Sequence, residues 1–189
     1  MHPKPIFDFM TFPVLMTERL TLRELRRTDA ADVLVFRGDP IVQKYDDPVI
    51  HTEAEALAFI DELQDEYLTQ QGISWAVTRS DEDVVLGAFG LHHWDPYHRR
   101  AEAGYGLAHA SWGQGIGSEA LRAIVRFGSE QLDLNRIYAR TIADNHESVR
   151  LLERLGFQRE GTFRRHSWEE DGTFHDSAMY GLLREEFPT

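Results

Sequence analysis

The chain has no cysteine in its 189 residues. That excludes disulfides, thiolate-held metal and a protein thiol nucleophile, and it fits a reducing compartment such as the cytoplasm. Long apolar runs are also missing. No window approaches the roughly 20 apolar residues of a membrane-crossing helix. The opening "MHPKPIFDFMTFPVLM" lacks a basic stretch followed by an apolar core, so no secretion signal is expected. Basic residues are few: 20 Lys and Arg stand against 32 Asp and Glu, for a net charge of −12. Nucleic-acid binding needs basic surface against phosphates and is not expected. The acidity suits a cationic partner such as an amine, or serves solubility alone.

What is present is enough for one domain. Hydrophobic residues make up 42% of the chain, sufficient for a sizeable core. Residues 1–15 read as an N-terminal arm and 16–189 as one folded unit. "RLTLREL" (19–25) alternates apolar and polar residues, as a half-buried strand does. "TDAADVLVFRGD" predicts a short helix capped by Thr28 and stopped at Gly38. Residues 52–72 have a Thr cap, an acidic first turn and a final Gly; Ala56, Phe59, Ile60, Leu63 and Tyr67 recur at helical spacing. Strands over 73–79 and 84–94 flank the turn "SDED" as a hairpin. Strand 101–109, helix 115–132 and strand 136–142 make a crossover whose strands should run parallel. Helix 145–157 and a closing strand pair complete an α/β layered fold with a mixed, mostly antiparallel sheet.

Residues 112–120, "WGQGIGSEA", hold the strongest chemical signal. A glycine-rich turn between strand and helix leaves backbone N–H groups pointing outward, and the helix dipole adds positive charge there. Gly113, Gly115 and Gly117 would allow positive φ and close approach of a phosphate. The segment is neither a Walker loop nor the dinucleotide fingerprint. Read without further context, it is either a phosphate cradle or a tight turn whose glycines only permit packing.

"WGQGIGSEA" resembles the acetyl-CoA loop of the GNAT acyltransferase superfamily, and more narrowly that of the RimJ/RimL-like ribosomal-protein N-terminal acetyltransferases, with Trp112 in place of the usual leading Gln or Arg. The likeness extends through "TERLTLRELRRTDA", "AEAGYGLAHASWGQGIGSEAL", "ADNHESVRLLERLGFQREGTFRR" and "DGTFHDSAMYGLLREEF". It implies the GNAT fold and acetyl-CoA as co-substrate, lying in a V-shaped opening between strands 101–109 and 136–142. The backbone of Leu107, Ala108 and His109 would hold the pantetheine arm. The amides of Gln114, Gly115, Ile116, Gly117 and Ser118 would hold the pyrophosphate. Arg99, Arg100, Arg122 and Arg150 are available for the phosphates, or are surface bystanders.

"NHES" (145–148) is a second constellation: Asn145 suits a helix N-cap, with Ser148 three residues on. The resemblance places Asn145 on the cofactor and makes Ser148 the candidate acid for the departing thiolate. It needs no acyl-enzyme, since a neutral amine attacks directly. Two residues stand as candidate bases, Glu102 in "AEAGY" and His166 in "RRHSWEEDG", and each has an ordinary surface role as its alternative. His92, His93, Asp95 and His98 cluster in sequence, but neighbours on a strand face opposite ways, so no metal site is expected. Trp94, Tyr97, Trp168 and Phe174 would line an acceptor cleft or pack in the core. Acceptor loops are expected around 40–52, 92–100 and 165–175. The implied acceptor is a primary amine, either a protein N-terminus or a small molecule; a non-catalytic CoA-binding regulator is the other class. The likeness leaves the oligomeric state open, a homodimer being common among relatives.

Overall fold

A computed structural model describes residues 7–45, 48–169 and 172–187. Eight strands form one sheet in the order β1-β2-β3-β4-β5-β6-β8-β7. They are β1 (Leu15–Met16), β2 (Leu20–Glu24), β3 (Ile73–Arg79), β4 (Val85–Asp95), β5 (Arg100–Leu107), β6 (Arg136–Ile142), β7 (Gln158–Trp168) and β8 (Phe174–Leu183). Every neighbouring pair is antiparallel except β5 and β6, the parallel pair expected of the crossover. The helices are α1 (Ala30–Arg37), α2 (Glu53–Leu68), α3 (Ile116–Glu130) and α4 (His146–Arg154). Among the described residues no helix is long and apolar enough to cross a membrane.

The period of two along β3 divides the core. Ile73, Trp75 and Val77 face one layer with Ile116, Leu121 and Ile124 of α3 and Leu152 of α4. Ala76 faces the other, with Val33 and Phe36 of α1 and Ala56 and Ile60 of α2. The central strand is thus covered on both sides, which accounts for its unbroken run of buried residues.

Local signals explain most boundaries. Thr52 and Glu55 form a reciprocal capping box at the start of α2. That helix ends at Leu68, short of Gly72. Thr28 is not the cap of α1: residues 27–29 form a single 3-10 turn and Asp29 stands at the helix start. The Asp29 carboxylate is committed elsewhere, accepting 2.8 and 3.0 Å bonds from the buried Arg23 guanidinium and one from Arg26 N–H. Residues 7–13 lie along the core. Phe7 meets Phe127, Phe9 sits against Tyr67 and Trp94, and Phe12 against Tyr67 and Trp75. Trp75 Nε1 donates to the Pro13 carbonyl at 2.8 Å.

Candidate active site

β5 and β6 pair only at their first three positions, Arg100–Arg136, Ala101–Ile137 and Glu102–Tyr138. Beyond them each strand keeps its outer neighbour, β5 on β4 through Leu107 and β6 on β8 through Ile142. The facing edges, Ala103–Leu107 and Ala139–Ile142, therefore part into a V. One hydrogen bond spans from β5 to α4: Tyr105 Oη lies 2.8 Å from Ser148 Oγ. Tyr105 is stacked on Phe89 of β4, ring centres 5.5 Å apart, which fixes the direction of its hydroxyl.

The glycine elbow leads into this V. Gly113 and Gly115 have φ of 72° and 78°, and Gly115 occupies the cap position of α3. The left-handed backbone there is what requires glycine. Gly117 differs from the expectation: it lies inside the first turn of α3, and its φ is not positive. A Cβ at Gly117 would make ordinary contact with Leu151 at 3.5 Å and Phe89 at 3.7 Å, so only a side chain longer than that would crowd both. The first described amide bond of α3 is from Glu119 N–H to the Gly115 carbonyl. Among the described residues, none of the amides of Gln114, Gly115, Ile116, Gly117 and Ser118 donates to another group. Two arginines adjoin the loop. Arg19 donates to the Gln114 carbonyl and to Glu119, and Arg79 donates to Gln114 Oε1 at 2.8 Å. Partial burial opposes the charge of Glu119, but bonds from Thr17 and Arg19 outweigh it and hold the carboxyl below its ordinary value. Sequence reasoning missed both arginines. They come together through the Leu20–Arg79 register of β2 and β3, which no local pattern reveals. Arg99, Arg100 and Arg150 instead pair with Asp133, Asp95 and Glu147.

The other expected residues are distributed as follows. Asn145 Oδ1 accepts Ser148 N–H at 3.2 Å, the cap that the spacing predicts. Much of the backbone at 107–109 is already engaged. Leu107 O accepts Trp112 Nε1, Ala108 N–H donates to Leu86, and the Ala108 and His109 carbonyls accept amides at 111 and 112. Glu102 lies beside His93, its carboxylate 3.3 Å from Nδ1. His166 sits on exposed β7, 3.3 Å from Ser177 Oγ and tilted against Phe163. Trp94 packs on Phe9, whereas Trp168 and Phe174 pair edge to face at the exposed end of the β7–β8 hairpin. Of the expected acceptor loops, residues 46–47 and 170–171 lie outside the described residues.

On the opposite face of β3–β5, under α1 and α2, is a cavity of about 260 Å³. Phe36, Phe59 and Leu63 form its apolar wall, and Ser74, His92 and Glu66 bring polar groups to it. Phe89 and Tyr105 also border it, so Tyr105 adjoins both this cavity and, through its hydroxyl, Ser148.

The profile of the acetyltransferase (GNAT) domain matches residues 19–158. The chain belongs to the GNAT acetyltransferases. It is 33% identical over 174 residues to the uncharacterized N-acetyltransferase YoaA of Bacillus subtilis (strain 168), covering 92% of this chain and 98% of that one. With the uncharacterized N-acetyltransferase p20 of Bacillus licheniformis it shares 35% over 174 residues, 92% and 97% of the two chains. A more distant relative, the ribosomal-protein-serine acetyltransferase of Escherichia coli (strain K12), is 29% identical over 116 residues, 61% of this chain and 64% of its own. The crystal structure of a GNAT-family acetyltransferase from Bacillus anthracis superposes with a TM-score of 0.82 at 24% identity, covering 92% of this chain and 100% of that one, which establishes the shared fold. This GNAT protein is accordingly an acetyl-CoA-dependent N-acetyltransferase.

Proposed function

We propose that this acetyltransferase modifies the α-amine of a protein N-terminus, with the arm of acetyl-CoA in the opening between β5 and β6. The parting of those strands carries the reading. It leaves the Ala103–Leu107 edge of β5 without a β6 partner, and an extended arm can bond to such an edge as an added strand does. The residues at the elbow fit a diphosphate: their amides are uncommitted, the helix dipole favours an anion, and Arg19 and Arg79 stand beside them. Gly117 fits too, because any longer side chain would enter the space between Leu151 and Phe89. The engaged backbone at 107–109 moves the expected pantetheine contact toward Ala103–Leu107.

Bound acetyl-CoA supplies an acetyl group on a leaving thiol of pKa about 8.5. A β5 N–H on the open edge polarises the acetyl carbonyl. The Ser148–Tyr105 hydroxyl pair supplies a proton where the thiol leaves, with Asn145 fixing the turn that carries Ser148. The peptide reading draws on the Escherichia coli relative, whose name gives a ribosomal protein as its substrate, and on the acidic chain, which suits a basic protein. The small cavity gives a specific reason to keep a small primary amine as the second reading.

The test is incubation with acetyl-CoA and a panel of hexapeptides bearing free α-amines, free amino acids and spermidine, followed by thiol release and mass spectrometry. Acceptor-dependent thiol with the acetyl group on a peptide α-amine is expected. Modification of spermidine or an amino acid with no peptide modified overturns the peptide reading.

A further inference from the structure

We propose that His92, positioned by Glu66, is the base that takes the proton from the acceptor ammonium in the cavity under α1 and α2. The inference rests on the reading of the chain as an amine acetyltransferase and adds the acceptor side of the reaction. Its basis is a hydrogen-bonded pair that joins α2 to β4 at the lining of this cavity. His92 Nδ1 is 2.8 Å from Glu66 Oε2, and both side chains are largely covered. The His92 bond is the main cause that keeps the Glu66 carboxyl below its ordinary range, so at neutral pH Glu66 is a carboxylate. A carboxylate accepts, so Nδ1 is the ring nitrogen that carries the proton toward Glu66, and Nε2 is the nitrogen left over the Gly90–Gly104 pair.

The ring is aimed at the acceptor cavity. It lies over the registered pair Gly90–Gly104: a Cβ at Gly90 would come within 3.0 Å of Nε2, and one at Gly104 within 3.0 Å of Nε2 and 2.9 Å of the ring carbon Cδ2. The two strands give up side chains where the imidazole lies. Ser74 supplies an independent sign of a ligand. It is 5% exposed, its Oγ has no partner among the described residues, and that oxygen is 2.3 Å from the same Gly90 Cβ position. A buried hydroxyl without a partner is costly unless something fills the site, and an amine or an adjacent peptide carbonyl would. The charged and titratable groups that line the cavity with the ring are Arg37 from α1, Glu62 and Glu66 from α2 and Tyr105 from β5; Glu102 is the residue registered opposite His92 on β5, and its carboxylate lies beside His93. Neither Glu102 nor His166 lines the cavity.

The proton balance is complete. The ammonium gives one proton to Nε2, leaving a neutral amine and an imidazolium held by Glu66; that proton later goes to solvent. Transfer forms a C–N bond, breaks a C–S bond, and moves the nitrogen's second proton to the departing sulfur by way of the Ser148–Tyr105 pair.

The test combines turnover of a seryl hexapeptide with ¹⁵N spectroscopy of the His92 ring. His92→Gln should lower turnover about tenfold at neutral pH, with the deficit narrowing at high pH as the amine loses its own proton, and acetyl-CoA affinity should hold within about twofold. Glu66→Gln should move the rising limb of the pH profile to lower pH, because the imidazolium loses its carboxylate. In the wild type without acetyl-CoA, the ring should carry its proton on Nδ1, and benzylamine should shift Nε2. A His92→Gln profile like that of the wild type, a proton found on Nε2, or a ring unmoved by benzylamine and peptide overturns the proposal. Should His92→Gln fail to fold, the wild-type ring spectra decide alone. A wild type that releases no thiol with any amine counts against the transfer reading, and the ring spectra still judge His92.

Discussion

At Ser148 a structural role meets the chemical one proposed for it. Its amide completes the Asn145 cap, and its hydroxyl reaches Tyr105 across the gap. The cap uses only the amide, so Ser148→Ala should leave the helix and the acetyl-CoA dissociation constant nearly unchanged while lowering turnover at least tenfold. Steady-state rates alongside calorimetry check this, and a wild-type rate removes Ser148 as the acid. Asn145 and Ser148 were legible because three residues separate a cap from the amide it binds. Tyr105 and His92 were not. Their partners lie 43 and 26 positions away, and only strand register and the docking of α2 and α4 bring them together. His92 was visible merely as one of a histidine cluster, since nothing in "HHWDPYH" shows which ring turns toward a carboxylate on a helix.

For elements, the start of α3 was the clearest segment in the sequence, and the structure gives its glycines different tasks. Gly115 is needed for a left-handed φ, Gly117 for room. The distinction is testable at Gly117. An Ala there makes ordinary contact with Leu151 at 3.5 Å and should bind acetyl-CoA nearly as the wild type does. Gly117→Leu should weaken binding tenfold or more, because its branches enter the space beside Phe89; equal affinity in calorimetry removes the cradle assignment. Element types and order followed from periodicity, caps and turn residues, as the Thr52–Glu55 box illustrates. The start of α1 was missed because a residue that looks like a cap competes with a neighbour whose carboxylate serves a buried arginine, and burial cannot be seen in a short segment.

At the scale of the molecule, the segment that reads as an arm contributes an aromatic cover. Phe7, Phe9 and Phe12 lie on Phe127, Tyr67, Trp94 and Trp75, and Pro13 satisfies the Trp75 indole. Three half-buried rings at about 1 kcal/mol each, with the lost indole bond at about 1 kcal/mol, give a cost of about 4 kcal/mol for removing residues 1–13. Urea unfolding should show this as a lower midpoint, and an unchanged midpoint would reduce the aromatic contacts to decoration. The layered architecture was readable from the order of elements, but the depth to which β5 and β6 stay joined was not, because pairing between distant strands leaves no mark on either one. That depth has a consequence for how the protein can change. Any substitution that lets the two strands zip closed past Glu102 would gain ladder bonds and cohesion while sealing the slot. With the arm of acetyl-CoA in that opening, as proposed, improvement of the empty protein and retention of its guest pull in opposite directions along this seam, and variants selected for robustness alone should drift toward shutting it.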